Sequence, residues 1–307
     1  MRAPRWPGMG VRPWLEALSR PCGACGRAPY RTPWRCLTEK RRGFRLLGAW
    51  YCGGECLQKA LAGMLARENP APAGRPSAAH RVPLGLLLLS RQQVTGEQLR
   101  IALEHQRCTG KGKIGECLQQ LGFVDEAQIT LALARQWSCP VLRTSPAAWA
   151  ATNFTAIPLA LLEASQMFPA EFAPASRTLL MAFSQAVDHS TLYAIEQMLD
   201  YRTQACFVGP RVLRQRLQWL AQVRRPLEFV FDRVEDVAEC ARIVGSYSAK
   251  LSAEEIRLIR CGPHLWIRLD REQQDPVHLI VRSADFRPSG LRSGDLPDDS
   301  LAAPSVL

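Results

Sequence analysis

No stretch of this 307-residue sequence is apolar for long enough to cross a bilayer. The longest strongly apolar run, Leu84-Gly85-Leu86-Leu87-Leu88-Leu89, falls far short of the roughly 20 residues a spanning helix needs. The first ten residues carry Arg, Pro and Trp but lack the apolar core of a secretory signal. A phosphate-cradling Gly-x-x-x-x-Gly-Lys-Ser/Thr loop is also missing. Gly110-Lys-Gly-Lys-Ile-Gly115 is basic and Gly-rich, yet it lacks the closing Lys-Ser/Thr pair. Neither a nucleophile–base–acid set nor an open metal site can be assembled from the remaining residues. These absences lead to the expectation of a cytoplasmic protein that is not an enzyme.

What is present is an ordinary globular balance, 47% apolar and 22% charged residues, so neither a fibre nor a wholly disordered chain is expected. Acidic residues are scarce at the start. Twelve Lys and Arg in the first 66 residues face only Glu16, Glu39 and Glu55, so most of the net charge of +11 is gathered there. Such a balance suits an anionic partner without naming one. Pro and Gly over 69–80 mark a linker, and a softer boundary falls at Arg225-Pro226. The segmentation is then a disordered basic start (1–20), a Cys-rich module (21–68), the linker (69–80), a domain over 81–222, a small α+β module (226–285) and a disordered tail (286–307). The fold class is α+β and multi-module: a small four-cysteine zinc module, a tandem helical-hairpin repeat, an α/β subdomain and a C-terminal α+β module.

Cysteine usage carries the first chemical signal. Cys22-Gly-Ala-Cys25 and Cys52-Gly-Gly-Glu-Cys56 both have ligand spacing. Two Cys separated by two small residues can turn both sulfurs toward one ion. The second pair suits the first turn of a helix, where residues four apart share a face. Four thiolates around Zn²⁺ would complete a closed structural site, and a module this small needs such a staple. The order of knuckle, hairpin and ligand-bearing helix resembles a treble-clef zinc finger over about residues 20–65. Cys36 lies between the pairs with no second ligand near it. Cys108, Cys117, Cys139, Cys206, Cys240 and Cys261 sit alone in apolar patterns and read as small core residues.

Self-comparison gives the second signal. Residues 83–106 and 113–136 align without a gap. Leu84/Ile114, Gly85/Gly115, Leu88/Leu118, Val94/Val124, Gln98/Gln128, Leu99/Ile129, Ala102/Ala132, Leu103/Leu133 and Gln106/Gln136 all correspond. Shared slots at helical spacing imply one supersecondary unit built twice. Thr95-x-x-Gln98 and Asp125-x-x-Gln128 are capping boxes in the same slot, so each copy is a short helix, a turn and a longer helix. Val94, Leu99 and Leu103, with their counterparts, form its apolar face. Core packing explains these positions but leaves the repeated Gly and the repeated terminal Gln over.

The paired 24-residue pattern resembles the N-terminal domain of the type II secretion and type IV pilus assembly ATPases, the GspE and PilB family. The MshEN form of that domain is a receptor for cyclic di-GMP. The likeness continues through Ile129 to Val141 and, more thinly, over 157–222. It implies a ligand held between two half-sites: Leu84, Gly85, Leu88 and Gln106 on one side, and Lys113, Ile114, Gly115, Leu118 and Gln136 on the other. Aliphatic side chains would lie on guanine faces, glycine would admit the backbone, and polar groups would read edges and phosphates. The family's first Arg slot is here Pro83, with Arg81 two residues upstream, and its second is Lys113. Gln92 stands where the first turn has Gly, and Gln119 interrupts an aliphatic pair.

Downstream, Thr178–Phe183 and Thr203–Val208 read as strands, and Thr191–Asp200 and Val212–Leu220 as helices. Leu227–Phe231, Val234–Tyr247, a hairpin over 255–269 and His278–Val281 form the last module, with Trp266 and His264 as core and turn residues. The secretion ATPases continue into a motor domain that this sequence does not contain. The resemblance therefore implies a regulatory or adaptor protein, partnered by a platform protein or a kindred ATPase and by cyclic di-GMP. The alternative is a zinc-stabilised nucleic-acid binder using the basic N-terminal segment.

Overall fold

The computed structural model describes residues 21–28, 43–67, 81–110, 112–142, 154–223, 225–234 and 236–282. Four sequence readings lie outside these residues: the disordered start 1–20, Cys36, the 69–80 linker and the 286–307 tail. The chain divides into two compact units, one of Met1–Pro70, Phe231–Ile256 and Val281–Leu307, the other of Ala71–Val230 and Arg257–Ile280.

The first unit begins with strands β1 (Phe44–Leu46) and β2 (Ala49–Tyr51), joined by a tight hairpin. Leu47 and Gly48 both take positive φ there, the turn geometry whose twist matches a two-residue hairpin. Helix α1 (Gly54–Arg67) follows and buries Leu57, Leu61 and Leu65, one side chain per turn. That stripe needs a partner, and the partner comes from far along the chain. Helix α9 (Val237–Lys250), capped by Asp236 accepting from Glu239 N–H, packs against α1 through Cys240, Ala241 and Val244. At Gly245 a Cβ would stand 2.8 Å from Gln58 Cγ, so the glycine leaves room for the Gln58 side chain between the helices. The first residues of β7 (Glu255–Cys261) then pair in parallel with β1, Arg45 opposite Glu255 and Leu46 opposite Ile256.

The second unit opens with the repeats: α2 (Leu84–Ser90) and α3 (Gly96–Thr109), then α4 (Ile114–Gln120) and α5 (Glu126–Gln136). Helix α6 (Leu159–Ala164) leads into a three-stranded sheet of β3 (Met167–Ala173), β4 (Thr178–Phe183) and β5 (Arg202–Phe207), in that order. Strand β4 is antiparallel to β3 and parallel to β5, with α7 (His189–Leu199) as the crossover and α8 (Pro210–Gln222) closing the layer. Sequence periodicity finds β4, β5, α7 and α8 to within two residues but misses β3. Its Met-Phe-Pro-Ala-Glu-Phe-Ala has no alternation, and Pro169 is tolerated because β3 is an edge strand with a register shift between Pro169 and Glu171.

Strands β7, β8 (His264–Arg271), β9 (Gln274–Arg282) and β6 (Glu228–Phe231) follow one another in sheet order. The expected hairpin is there, and the last strand starts earlier than His278. Trp266 is fully buried and donates Nε1–H to His278 Nδ1 at 3.1 Å. Burial, with Arg268 and Arg225 adding to it, pushes His278 down to about 3, so this imidazole is neutral. Phe168, Phe183, Phe207 and Trp266 are the largest members of the unit's core.

Two sequence readings are corrected here. Cys108 is exposed on the last turn of α3 and Cys139 is only half-buried, whereas Cys117, Cys206, Cys240 and Cys261 are core residues. Leu103 is 40% exposed, because α3 turns Ala102 rather than Leu103 into the repeat core.

Candidate functional site

The two repeats are interlocked rather than stacked. The first helix of each copy packs on the second helix of the other, α2 on α5 and α4 on α3. Leu88 and Leu118, Val94 and Val124, and Ala102 and Ala132 meet in one small core as equivalent pairs. Both capping boxes form: Thr95 accepts from Gln98 N–H and Asp125 from Gln128 N–H, while each Gln side chain returns a bond. The turns inside the copies also match, with Gln92 and Gly122 both left-handed at equivalent positions.

The terminal glutamines complete the exchange. Gln106 donates its Nε2–H to the carbonyl of Gly112, just ahead of the second copy. Gln136 donates to the carbonyl of Val82, just ahead of the first, at 2.7 Å. Val82 and Gly112 are equivalent positions, so each copy holds the head of the other and the pair has a local two-fold relationship. Gly85 and Gly115 are buried at the centre of this arrangement. A Cβ on Gly85 would meet Leu99 Cδ1 at 2.8 Å, and one on Gly115 would meet Leu84 Cδ2 at 3.2 Å and Ile129 at 3.5 Å. Their missing side chains make room for helix packing.

Of the ten residues singled out at this site, the structure therefore keeps four inside. Leu88 and Leu118 are fully buried, and Gly85 and Gly115 face neighbouring helices. Arg81, Leu84, Gln106, Lys113, Ile114 and Gln136 retain accessible surface near the heads of the two copies. Lys113 is exposed, and its Nζ donates to Gln185 Oε1 in the segment after β4. The Arg81 guanidinium carbon lies over the Trp137 ring, 3.3 Å from its centroid, and Trp137 in turn meets His189 at 5.9 Å. Sequence reasoning placed His189 as an exposed residue at the head of α7, which it is, but gave no site role to Trp137, Gln185 or His189. Trp137 directly follows the repeated Gln, which was the available clue; the other two belong to a different subdomain.

The second candidate site is the Cys cluster. The Sγ atoms of Cys22, Cys25, Cys52 and Cys56 all lie within 4.8 Å of one another. Cys25 to Cys52 is 3.6 Å and Cys52 to Cys56 is 3.7 Å. A tetrahedron with Zn–S arms of ~2.3 Å has edges of about 3.8 Å, so the spacing fits that ion. The knuckle is built from backbone: Gly26 N–H returns to Cys22 O, and Gly23 N–H bonds Trp50 O across to β2. Burial opposes ionisation of Cys22, but backbone N–H groups of Cys25, Ala24 and Cys52 directed at its sulfur prevail and hold the thiol down to about 6. Cys56 is pushed up to about 12, first by its hydrogen bond with Cys52 and then by Cys25. One sulfur is thus prepared as a thiolate within a set that shares its protons.

No family model matches the chain, and no curated protein matches it. Among solved structures it is similar to MshE with cdg (cyclic di-GMP), at 28% identity, covering 46% of this chain and 99% of that one, with a TM-score of 0.39. It is also similar to the N-terminal domain of XpsE, at 15% identity, covering 44% of this chain and 91% of that one, with a TM-score of 0.34. A second crystal form of the XpsE domain matches at 16% identity and a TM-score of 0.26. Among the described residues no helix is long and apolar enough to cross a membrane.

Proposed function

We propose that the protein is a non-enzymatic adaptor whose repeats bind cyclic di-GMP, whose Cys cluster holds a structural Zn²⁺, and whose partner is a component of the secretion or pilus machinery. The observation that carries the ligand reading is the two-fold exchange between the copies. A ligand with two guanines and two phosphodiesters suits two equivalent half-sites, and the accessible faces at the repeat heads repeat in the same way. Leu84 and Ile114 offer aliphatic surface to guanine, while Arg81 and Lys113 offer positive charge to phosphate. Gln106 and Gln136 hold the heads of the copies in register and keep their amide oxygens for a ligand donor. Binding would favour the closed, interlocked form and so tighten the contact between copies, which is the change a protein partner would read.

Calorimetry of the wild-type and Lys113→Arg proteins with cyclic di-GMP tests this. Saturable heat is expected, with tighter binding by Lys113→Arg, because a guanidinium offers the planar fork that an ammonium lacks. Absence of heat from both at high micromolar ligand would reduce the repeats to a protein-interaction module. For the metal, Zn²⁺ should co-purify at one ion per chain. Cys22→Ser, Cys25→Ser, Cys52→Ser and Cys56→Ser should each release it, and Cys108→Ser should not.

A further inference from the structure

We infer that Arg81 is the cation of the first half-site and that Trp137 is the residue that positions it, an inference that rests on the cyclic di-GMP reading above. In the first copy the family's Arg slot is occupied by Pro83, which has no donor to offer. Arg81 lies just ahead of it, and what it lacks in slot position it gains in support. Its guanidinium carbon is 3.3 Å from the centroid of the Trp137 ring, so the cation meets the negative π face. A cation–π contact uses the charge of the guanidinium without consuming its N–H donors. Among the described residues Arg81 makes no hydrogen bond and no ion pair, so those donors are uncommitted.

The support is continuous. Trp137 caps the end of α5, its N–H donating to Leu133 O, and the residue before it, Gln136, grips the carbonyl of Val82. The main chain beside Arg81 and the ring beneath its side chain are therefore fixed by two adjacent residues. His189, 5.9 Å from the Trp137 ring, flanks the ring from the head of α7. A long side chain that would otherwise sample many rotamers is held in one, which lowers the entropic cost of engaging a ligand. The second half-site uses another brace, Lys113 bonded to Gln185. Two cations, one at the head of each copy, match the two phosphodiesters of the ligand.

Calorimetry with cyclic di-GMP on the full chain separates this from a packing role for Trp137. Trp137→Leu keeps apolar volume but removes the π face, and should weaken binding by about tenfold. Trp137→Phe, which restores a face, should recover most of that loss. Arg81→Gln should weaken binding at least as much. The double variant Arg81→Gln with Trp137→Leu should be no weaker than Arg81→Gln alone, because the ring acts only through the cation. Wild-type affinity in Trp137→Leu, or additive losses in the double variant, would overturn the assignment while leaving the ligand reading intact. No heat from the wild-type protein would overturn the ligand reading itself, and this assignment with it. A thermal melt of Trp137→Phe guards against simple unfolding.

Discussion

Gln136 Nε2 donates to the carbonyl oxygen of Val82 across fifty-four positions of sequence, at 2.7 Å. Gln106 makes the corresponding bond to Gly112 at 2.9 Å. Each glutamine belongs to one copy of the repeat and closes the head of the other, so neither copy is complete alone. Gln106→Ala and Gln136→Ala should each cost about 1 kcal/mol, the net worth of an amide–carbonyl bond. Gln136→Glu should cost more than Gln136→Ala, because a carboxylate cannot donate and faces the carbonyl dipole. Urea midpoints at constant slope are the measurement. Unchanged midpoints in all three variants would remove the exchange as a source of stability.

The left-handed turn inside each copy predicts an asymmetry. Gly122 adopts φ +72 freely, whereas Gln92 is held at φ +56 with a side chain attached. Gln92→Gly should stabilise the protein by about 1 kcal/mol and Gly122→Gln should destabilise it by a similar amount. A loss of stability in Gln92→Gly would show that its side chain contributes something the turn geometry does not explain.

Acid should act on the metal-free Cys module through Cys22. Its folded pKa, about 6, lies below the ordinary thiol value of 9.0, so the thiolate form is the one the fold favours. The stabilisation is fully present above pH 9 and is lost as pH falls toward and through 6. In metal-free protein, thiolate absorbance near 240 nm should begin to rise at about pH 6, and Cys22→Ser should abolish that first step. A first step at pH 8 or above in the wild-type protein would contradict the backbone-stabilised thiolate.

Chelation should reach beyond the Cys module. Cys52 and Cys56 flank the start of α1, and α1 shares its apolar stripe with α9. Hydrogen exchange on chelator-treated protein should show lost protection in 43–67 together with 237–250, while 84–136 keeps its protection. Protection retained in 237–250 after metal loss would mean that α9 is held by something other than α1.

Local signals made much of this legible in the sequence. The capping boxes at Thr95 and Asp125 involve residues three apart, and each is written in full where it acts. The Cys22/Cys25 and Cys52/Cys56 pairs are equally local, and the fold needed only to bring two knuckles together. Leu88 and Leu118 could not be told apart from ligand-facing aliphatics, because burial depends on which helix lies opposite. The roles of Gln106 and Gln136 were hidden for the same reason: a repeated glutamine advertises importance, but its acceptor is a backbone carbonyl that no residue type marks. The stack of Arg81 on Trp137 joins two parts of the chain that share no pattern. Pairing of β1 with β7 left no trace at all, since a three-residue strand has too little alternation to announce a partner.

That pairing has a consequence for how the chain is made. Translation delivers the four cysteines and α1 early, but the strand segment that pairs with β1 and the helix that covers Leu57, Leu61 and Leu65 emerge much later. Roughly 190 residues separate the end of α1 from Ile256, which at ribosomal speed is a delay on the order of ten seconds or more. Over that interval the interlocked repeats, whose contacts with one another all close by Gln136, can form on the ribosome. The metal-binding end waits with its leucine stripe uncovered, in reach of chaperones, until the last part of the chain arrives to close it.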